Sequence, residues 1–371
     1  MLTRRSLLAA ALAQPPKPRV AIVLNAYFPN SHADVFMSRL LEGYRLNGVS
    51  HRPRVQTVSF YVDQFPVNDM AREQAEEYGI KICKTVDEAL AARVDGVAII
   101  GEHGDYPRTK RGNVMYPRKR RFDEVLNAFN RSGKVLPLMN DKYYAYEWAD
   151  AKAMYDTVKA RKIPFFCGSS LPLTWRRPQL EFKSGIELDE VLAVSFSDLE
   201  EHGYHAIELM QAMAEKRKGG ETGVAEIRCI EGEAVWSDKF WSRDLLDQAL
   251  KHRQNPPPEN KGQTPQAIFV KYRDGLKATI LNLNSHTRDY LFAAREKSGK
   301  THASCFYIQL YNHNHWGFMV KHFEDLVLTK RTPYPPERTL LSNGIMLFGL
   351  ESRVQEQRWL STPALDVRYG A

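Results

Sequence analysis

From Arg19 to about Gly168, short apolar runs alternate with amphipathic stretches. The run "RVAIVL" reads as a buried strand, and "ADVFMSRLLEGYRL" as a helix with Phe36, Leu40 and Tyr44 on one stripe. A second strand, "RVQTVSFYV", leads to a helix, "DMAREQAEEYG", closed by Gly79. The alternation goes on through "IKIC", "TVDEALAAR", "DGVAII", "RFDEVLNAFNRSG", "KVLPLM", "AYEWADAKAMYDTVKARK" and "IPFFCG". Strand–helix alternation of this length predicts a parallel sheet with helices on both faces. Such sheets bind ligands beyond the carboxyl ends of their strands.

After Pro172 the pattern changes. One helix, "EEHGYHAIELMQAMAEKRKGG", carries Ile207, Met210 and Ala214 on a stripe and stops at Gly219-Gly220. Strand-like runs follow: "GVAEIRCI", "QAIFVKYRDG", "LKATILNLN" and "HASCFYIQLY". A last helix, "ERTLLSNGIMLFGLESRVQ", follows "TPYPP". The chain therefore divides, on this reading, into an export signal and linker (1–18), a Rossmann-like α/β domain (19–168) and an α+β domain (169–371) whose open sheet is largely antiparallel.

Composition narrows the class. With 371 residues, 43% hydrophobic and 26% charged, the chain has the makeup of a soluble globular protein large enough for two domains. The formal charge of +8 is modest for this size and requires no nucleic acid. The start, "MLTRRSLLAAALAQPPKP", has paired arginines (Arg4, Arg5), an apolar run and small residues near Ala13. That layout is an export signal of the twin-arginine kind, which predicts a periplasmic or secreted protein without a membrane span once the signal is removed. Cys83, Cys167, Cys229 and Cys305 are scattered among apolar residues, as buried small hydrophobes are.

Candidate chemistry falls at strand ends. The first strand–helix turn, "LNAYFPNSHADVF", has none of the glycines of a dinucleotide fingerprint, although Ser31 can cap the helix and Asn25 can donate to a phosphate. Asp63 ends the second strand, where an acidic side chain binds a ribose 2′-hydroxyl. Glu102 and His103 follow a buried strand, and "PLMNDKYYAY" places Asp141 and Lys142 between a strand and a helix. Seven basic residues fall within Arg108–Arg121, a pattern read first as a solvated loop and helix start. Tyr116, Arg118, Trp175 and Arg177 are candidates for a sugar ring or its carboxylate. In "YNHNHWGFMVKH", His313 and His315 in a strand would share one face, as metal ligands do.

The segments "VLPLMNDKYYAYEWADAKAMYDTVKARKIPF", "AREQAEEYGIKICKTVDEALAARVDGVAII", "EHGYHAIEL" and "FEDLVLTKRTPYPPERTLLSNGI" resemble, in order and spacing, the Gfo/Idh/MocA family of oxidoreductases. The first looks like the family's strand ending in Glu-Lys-Pro, here Asp141-Lys142-Tyr143. The third looks like its Asp-x-Gly-x-His motif, with Glu201 for the aspartate. The resemblance implies NAD or NADP as cofactor and a homo-oligomeric assembly; Glu102, His103 and Asp141 join the strand-end candidates Asn25, Ser31 and Asp63 as residues to hold the nucleotide. It also implies Lys142 and His205 as the proton-handling pair, Glu201 beside them, and His202 near the substrate. Glu201 and His205 stand four apart and His202 and His205 three apart, so one helix face can carry all three. The reaction implied is oxidation or reduction of a secondary hydroxyl on a sugar, cyclitol or glycoside. Two other classes compete: a metal-dependent carbohydrate lyase or hydrolase using His202, His205 and Glu201, and a non-catalytic carbohydrate-binding protein that has lost the nucleotide.

Overall fold

The computed structural model describes residues 16–256, 264–309 and 312–370. The stretch 1–18, read from the sequence as an export signal and linker, lies almost wholly outside them. The strands are β1 (Arg19–Leu24), β2 (Tyr44–Leu46), β3 (Val49–His51), β4 (Gln56–Val62), β5 (Lys81–Cys83), β6 (Gly96–Ile100), β7 (Leu138–Asp141) and β8 (Phe165–Gly168). They continue as β9 (Trp175–Arg177), β10 (Leu188–Ser195), β11 (Val224–Glu231), β12 (Gln266–Tyr272), β13 (Lys277–Asn282), β14 (Tyr290–Glu296), β15 (Thr301–Tyr307) and β16 (Leu360–Ser361).

The first sheet has the order β5-β4-β1-β6-β7-β8, and every pair in it is parallel. The chain leaves β1 for β4 on one side and later returns to β6 on the other. The crevice above β1 and β6 is thus a topological switch point, where open sheets bind ligands. β1 and β6 are buried almost throughout, so their apolar runs are continuous rather than alternating. One face is covered by helices Arg118–Ser132 and Trp148–Ala160, with Phe122, Val125, Phe129, Met154 and Val158 in the shared core.

The other face is covered by helix His32–Glu42 and, from far along the sequence, helix Trp316–Thr329. Trp316, Met319, Val320, Phe323 and Leu326 share a core with Val20, Ile22, Phe36 and Phe60. Gly96 marks how close that second helix comes: a Cβ there would lie 2.6 Å from a Val327 methyl.

The second sheet has the order β16-β11-β12-β13-β10-β14-β15-β9 and is antiparallel apart from the β10–β13 pair. Helices Tyr204–Ala214 and Pro336–Val354 pack on one face. Helix Arg243–Leu250, unassigned from the sequence, packs on the other with Trp241. The architecture is the mixed α/β one that the pattern predicts. All four cysteines are buried and free. No helix among the described residues is long and apolar enough to cross a membrane.

Two local readings are corrected. His313 and His315 lie in a turn that opens helix Trp316–Thr329, not in a strand, because Trp316, Met319, Val320 and Phe323 recur at helical spacing. The basic stretch 108–121 is not simply a solvated loop, since Arg118 and Arg121 are buried.

Candidate functional site

Lys142 sits one residue beyond β7, with φ +61°. Its N–H donates to the Gly168 carbonyl at 3.1 Å, which fixes this left-handed conformation at the end of β8. Only 2% of Lys142 is exposed, and its Nζ donates to Glu102 Oε2 at 3.0 Å. The other Glu102 oxygen meets the Arg118 guanidinium, which is fully buried and stacks over Tyr143 at 4.2 Å and Tyr116 at 4.8 Å. One carboxylate thus serves two buried cations. Burial, with the Arg118 charge beside it, pulls the Lys142 ammonium down to about 8, against the opposing pull of Glu200, Glu201 and Asp141.

Histidines surround this lysine. Helix Tyr204–Ala214 is preceded by a wide π-turn over Leu199–Gly203, capped by Asp198, which accepts from the Glu200 and Glu201 N–H groups. That turn carries His202 beside His205, with ring centroids 6.3 Å apart. His205 Nδ1 lies 2.6 Å from Ser169 Oγ, just beyond β8. Ser169 Oγ also accepts from the Leu171 N–H, which holds the hydroxyl in place beside the His205 ring. His202 Nδ1 pairs with the Tyr290 hydroxyl at 2.7 Å. Burial, then the Lys142 charge, brings His202 down to about 4 and holds His205 far below its ordinary value. Both imidazoles are therefore neutral at physiological pH.

His32, overlooked from the sequence, completes the cluster. As first residue of helix His32–Glu42 it turns toward β7, where its Nδ1 meets Asp141 Oδ2 at 2.6 Å. Its ring stands 4.7 Å from Trp316, 5.3 Å from His103 and 6.2 Å from His205, centroid to centroid. A carboxylate only accepts, so a His32 proton lies on Nδ1, toward Asp141. Burial would raise Asp141, but His32, Arg118 and Lys142 together hold it below the ordinary carboxylate range. Asp141 Oδ1 and His103 Nε2 are buried without a protein partner, leaving hydrogen-bonding capacity for a hydroxyl-rich ligand. Burial, then the His32 charge, brings His103 down to about 3. His32 begins the helix that follows β1, and β6 alone separates β1 from β7, the strand that ends at Asp141.

Beneath these groups, Glu208 ties the two sheets together. It accepts from the Ser169 N–H and from Thr339 Oγ1, and burial lifts it to about 7. Gly168 must be glycine here, since a Cβ would meet Glu208 Oε1 at 2.6 Å and the Tyr334 hydroxyl at 2.9 Å.

The sequence candidates separate into three groups. Lys142, Glu102, Asp141, His103, His202 and His205 form one cluster, and Glu201 is close enough to raise both Lys142 and the buried Tyr290 hydroxyl. Tyr116 flanks it on the Arg118 side. Arg118 itself is a correction: it is spent on Glu102 and is inaccessible to a substrate carboxylate. Trp175 donates to Asn47 and meets Phe318 edge to face, and Arg177 lies over Tyr307, so both serve the edge of the second sheet rather than the histidine cluster.

Asp63 is also corrected. Its oxygens take the Tyr61 hydroxyl at 2.8 Å, the Tyr106 hydroxyl at 2.6 Å and the Arg121 guanidinium. Burial opposes its ionisation, but these partners outweigh it and keep the carboxyl below its ordinary range. The residues expected to hold a dinucleotide do not fit one in the customary way. Asn25 and Ala26 are each 1% exposed and Tyr27 is fully covered, so the first half of this loop is buried and carries no glycine for a close approach. Ser31 caps its own helix, as its sequence position suggests, by accepting from the Asp34 N–H at 3.2 Å. Among the described residues, no group of three or more His, Cys, Asp or Glu is placed to hold a metal ion.

Against known proteins, no family model and no curated sequence matches. Solved structures do. GenD2 from gentamicin A biosynthesis, in complex with NAD, aligns at TM-score 0.63 and 12% identity over 94% of this chain and 97% of its own. A probable dehydrogenase from Thermotoga maritima gives 0.61 and 12% over 94% and 99%. The apo scyllo-inositol dehydrogenase of Lactobacillus casei gives 0.60 and 9% over 93% and 98%. The fold is therefore one shared with inositol dehydrogenases and with GenD2, which binds NAD. At such identity the likeness extends to the fold alone.

Proposed function

We propose that this chain is an enzyme of polyol chemistry, acting at a secondary hydroxyl of a sugar, cyclitol or glycoside with Lys142 as the proton acceptor. The observation that carries this reading is a buried lysine with its ammonium pulled down to about 8, at the carboxyl end of a parallel sheet and ringed by neutral imidazoles. At neutral pH a minor fraction of Lys142 is unprotonated, and that fraction can take a hydroxyl proton. Glu102 then holds the ammonium that forms. His205 and His32 each keep one ring nitrogen for neighbouring hydroxyls, which orients a ring with several of them. The oxidoreductase neighbours support a CH–OH carbon as the reacting centre, and these residues supply the proton half of such a reaction.

The test is turnover of a sugar, cyclitol and glycoside panel followed by mass spectrometry, with and without NAD or NADP. Lys142→Ala should keep substrate affinity and lose at least about 100-fold in rate. Unchanged turnover in that variant would remove Lys142 from the chemistry. Binding without turnover in the wild type would favour the non-catalytic reading.

A further inference from the structure

We infer that this chain seats no dinucleotide in its first strand–helix loop, and that the helix released from that duty delivers the His32–Asp141 pair to the substrate side instead. This extends the polyol reading and does not depend on the redox character of the reaction.

Three features close the loop from within. Part of its backbone is tied to neighbouring segments: the Asn25 N–H donates to Ile100 O at 3.2 Å, the Asn25 carbonyl accepts from Gln64 N at 2.8 Å, and the Tyr27 carbonyl accepts from Met70 N at 2.8 Å. A pyrophosphate is normally met by bare backbone at this place, with glycines allowing the approach. Here positions 24–31 are Leu, Asn, Ala, Tyr, Phe, Pro, Asn and Ser.

The helix N-terminus is also answered by the chain itself. Ser31 Oγ accepts from both Phe28 N and Asp34 N at 3.2 Å, while the Asp34 carboxylate accepts from Asn30 N at 2.7 Å. A carboxylate in the first turn takes the favourable end of the helix dipole and repels a phosphate. Finally, the acid that would hold an adenosine ribose, Asp63, is occupied by two tyrosine hydroxyls and an arginine.

What the helix does instead is visible in His32. Its Nδ1–Asp141 bond and its nearness to His103 and His205 place its free Nε2 in the Lys142 cluster. The loop has been rebuilt as a rigid support for an imidazole.

The experiment uses the full chain. Protein purified without added nucleotide is denatured and the supernatant analysed for NAD and NADP in both oxidation states. The native protein is then dialysed to equilibrium against each radiolabelled form at up to about 1 mM, the top of the usual substrate range. A cooperative thermal transition confirms that the sample is folded. Release well below stoichiometric, together with uptake that does not saturate, is the expected result. Stoichiometric release, or saturable uptake approaching one per chain, overturns the inference. Such binding would leave the role of Lys142 intact, because that stands or falls on the turnover of Lys142→Ala.

Discussion

Lys142 Nζ and Glu102 Oε2 meet at 3.0 Å with both side chains buried, while the other oxygen of the same carboxylate holds Arg118. Removing the carboxylate strands two buried cations at once. Breaking a buried pair typically costs about 3–5 kcal/mol, and Glu102→Gln should destabilise the protein by that order. Urea unfolding at neutral pH measures it. A loss below about 1 kcal/mol, the scale of surface pairs, would mean that water reaches the site.

The titration of Lys142 can be read without a substrate. In protein carrying 13Cε-labelled lysine, one signal, absent from Lys142→Met, should titrate near 8 rather than near the ordinary 10.5. The sign for stability follows. Between these two values the unfolded chain keeps a proton that the native state gives up, so stability rises with pH through that window. Lys142→Met should lack this rise.

Glu208 has the opposite sign. Its folded value, about 7, lies above the ordinary 4.5, so its stabilising contribution is complete below 4.5 and is lost as pH rises through 7. The melting temperature of the wild type should therefore fall between pH 5 and pH 8 more steeply than that of Glu208→Gln. Parallel curves would place the ionisation elsewhere.

Asp141 fixes which nitrogen of His32 faces the site. Asp141→Asn removes the charge that holds a His32 proton at Nδ1 and offers a donor as well as an acceptor. Two-bond nitrogen–proton spectra should show the proton at Nδ1 less strongly favoured than in the wild type. Turnover, once a substrate is found, should fall roughly 100-fold, on the scale of misplaced acid–base groups. A normal rate despite that change would make His32 a bystander.

Both sheets and most helices were legible because their signals are local: period-two and period-3.6 patterning, with glycines and prolines at the breaks. The place of Lys142 just past a strand end was legible too, since an apolar run followed by a helix needs no tertiary knowledge. What escaped were side chains whose role is set by distant partners. Asp63 looks like a ribose ligand until Tyr106 and Arg121, which come 43 and 58 positions later, take its oxygens. Arg118 looks like a surface cation until Glu102 and the rings of Tyr116 and Tyr143 enclose it. His32 was missed because its partner, Asp141, is 109 positions away. The turn holding His313 and His315 was misread because alternating histidines mimic a strand, while the helix that begins at Trp316 claims the following residues.

Helix Trp316–Thr329 covers one face of a sheet that begins at Arg19. A chain emerging from the ribosome completes β8 by Gly168, yet Ile22, Phe36 and Phe60 then still lack Met319, Val320 and Phe323 as neighbours. That apolar face must wait for roughly 150 further residues, or about ten to thirty seconds of synthesis at ordinary rates. During that interval it is a natural target for a holdase chaperone. A polypeptide ending near residue 168 should be sticky rather than a small independent protein, and the last third of the gene is needed before the first third can settle.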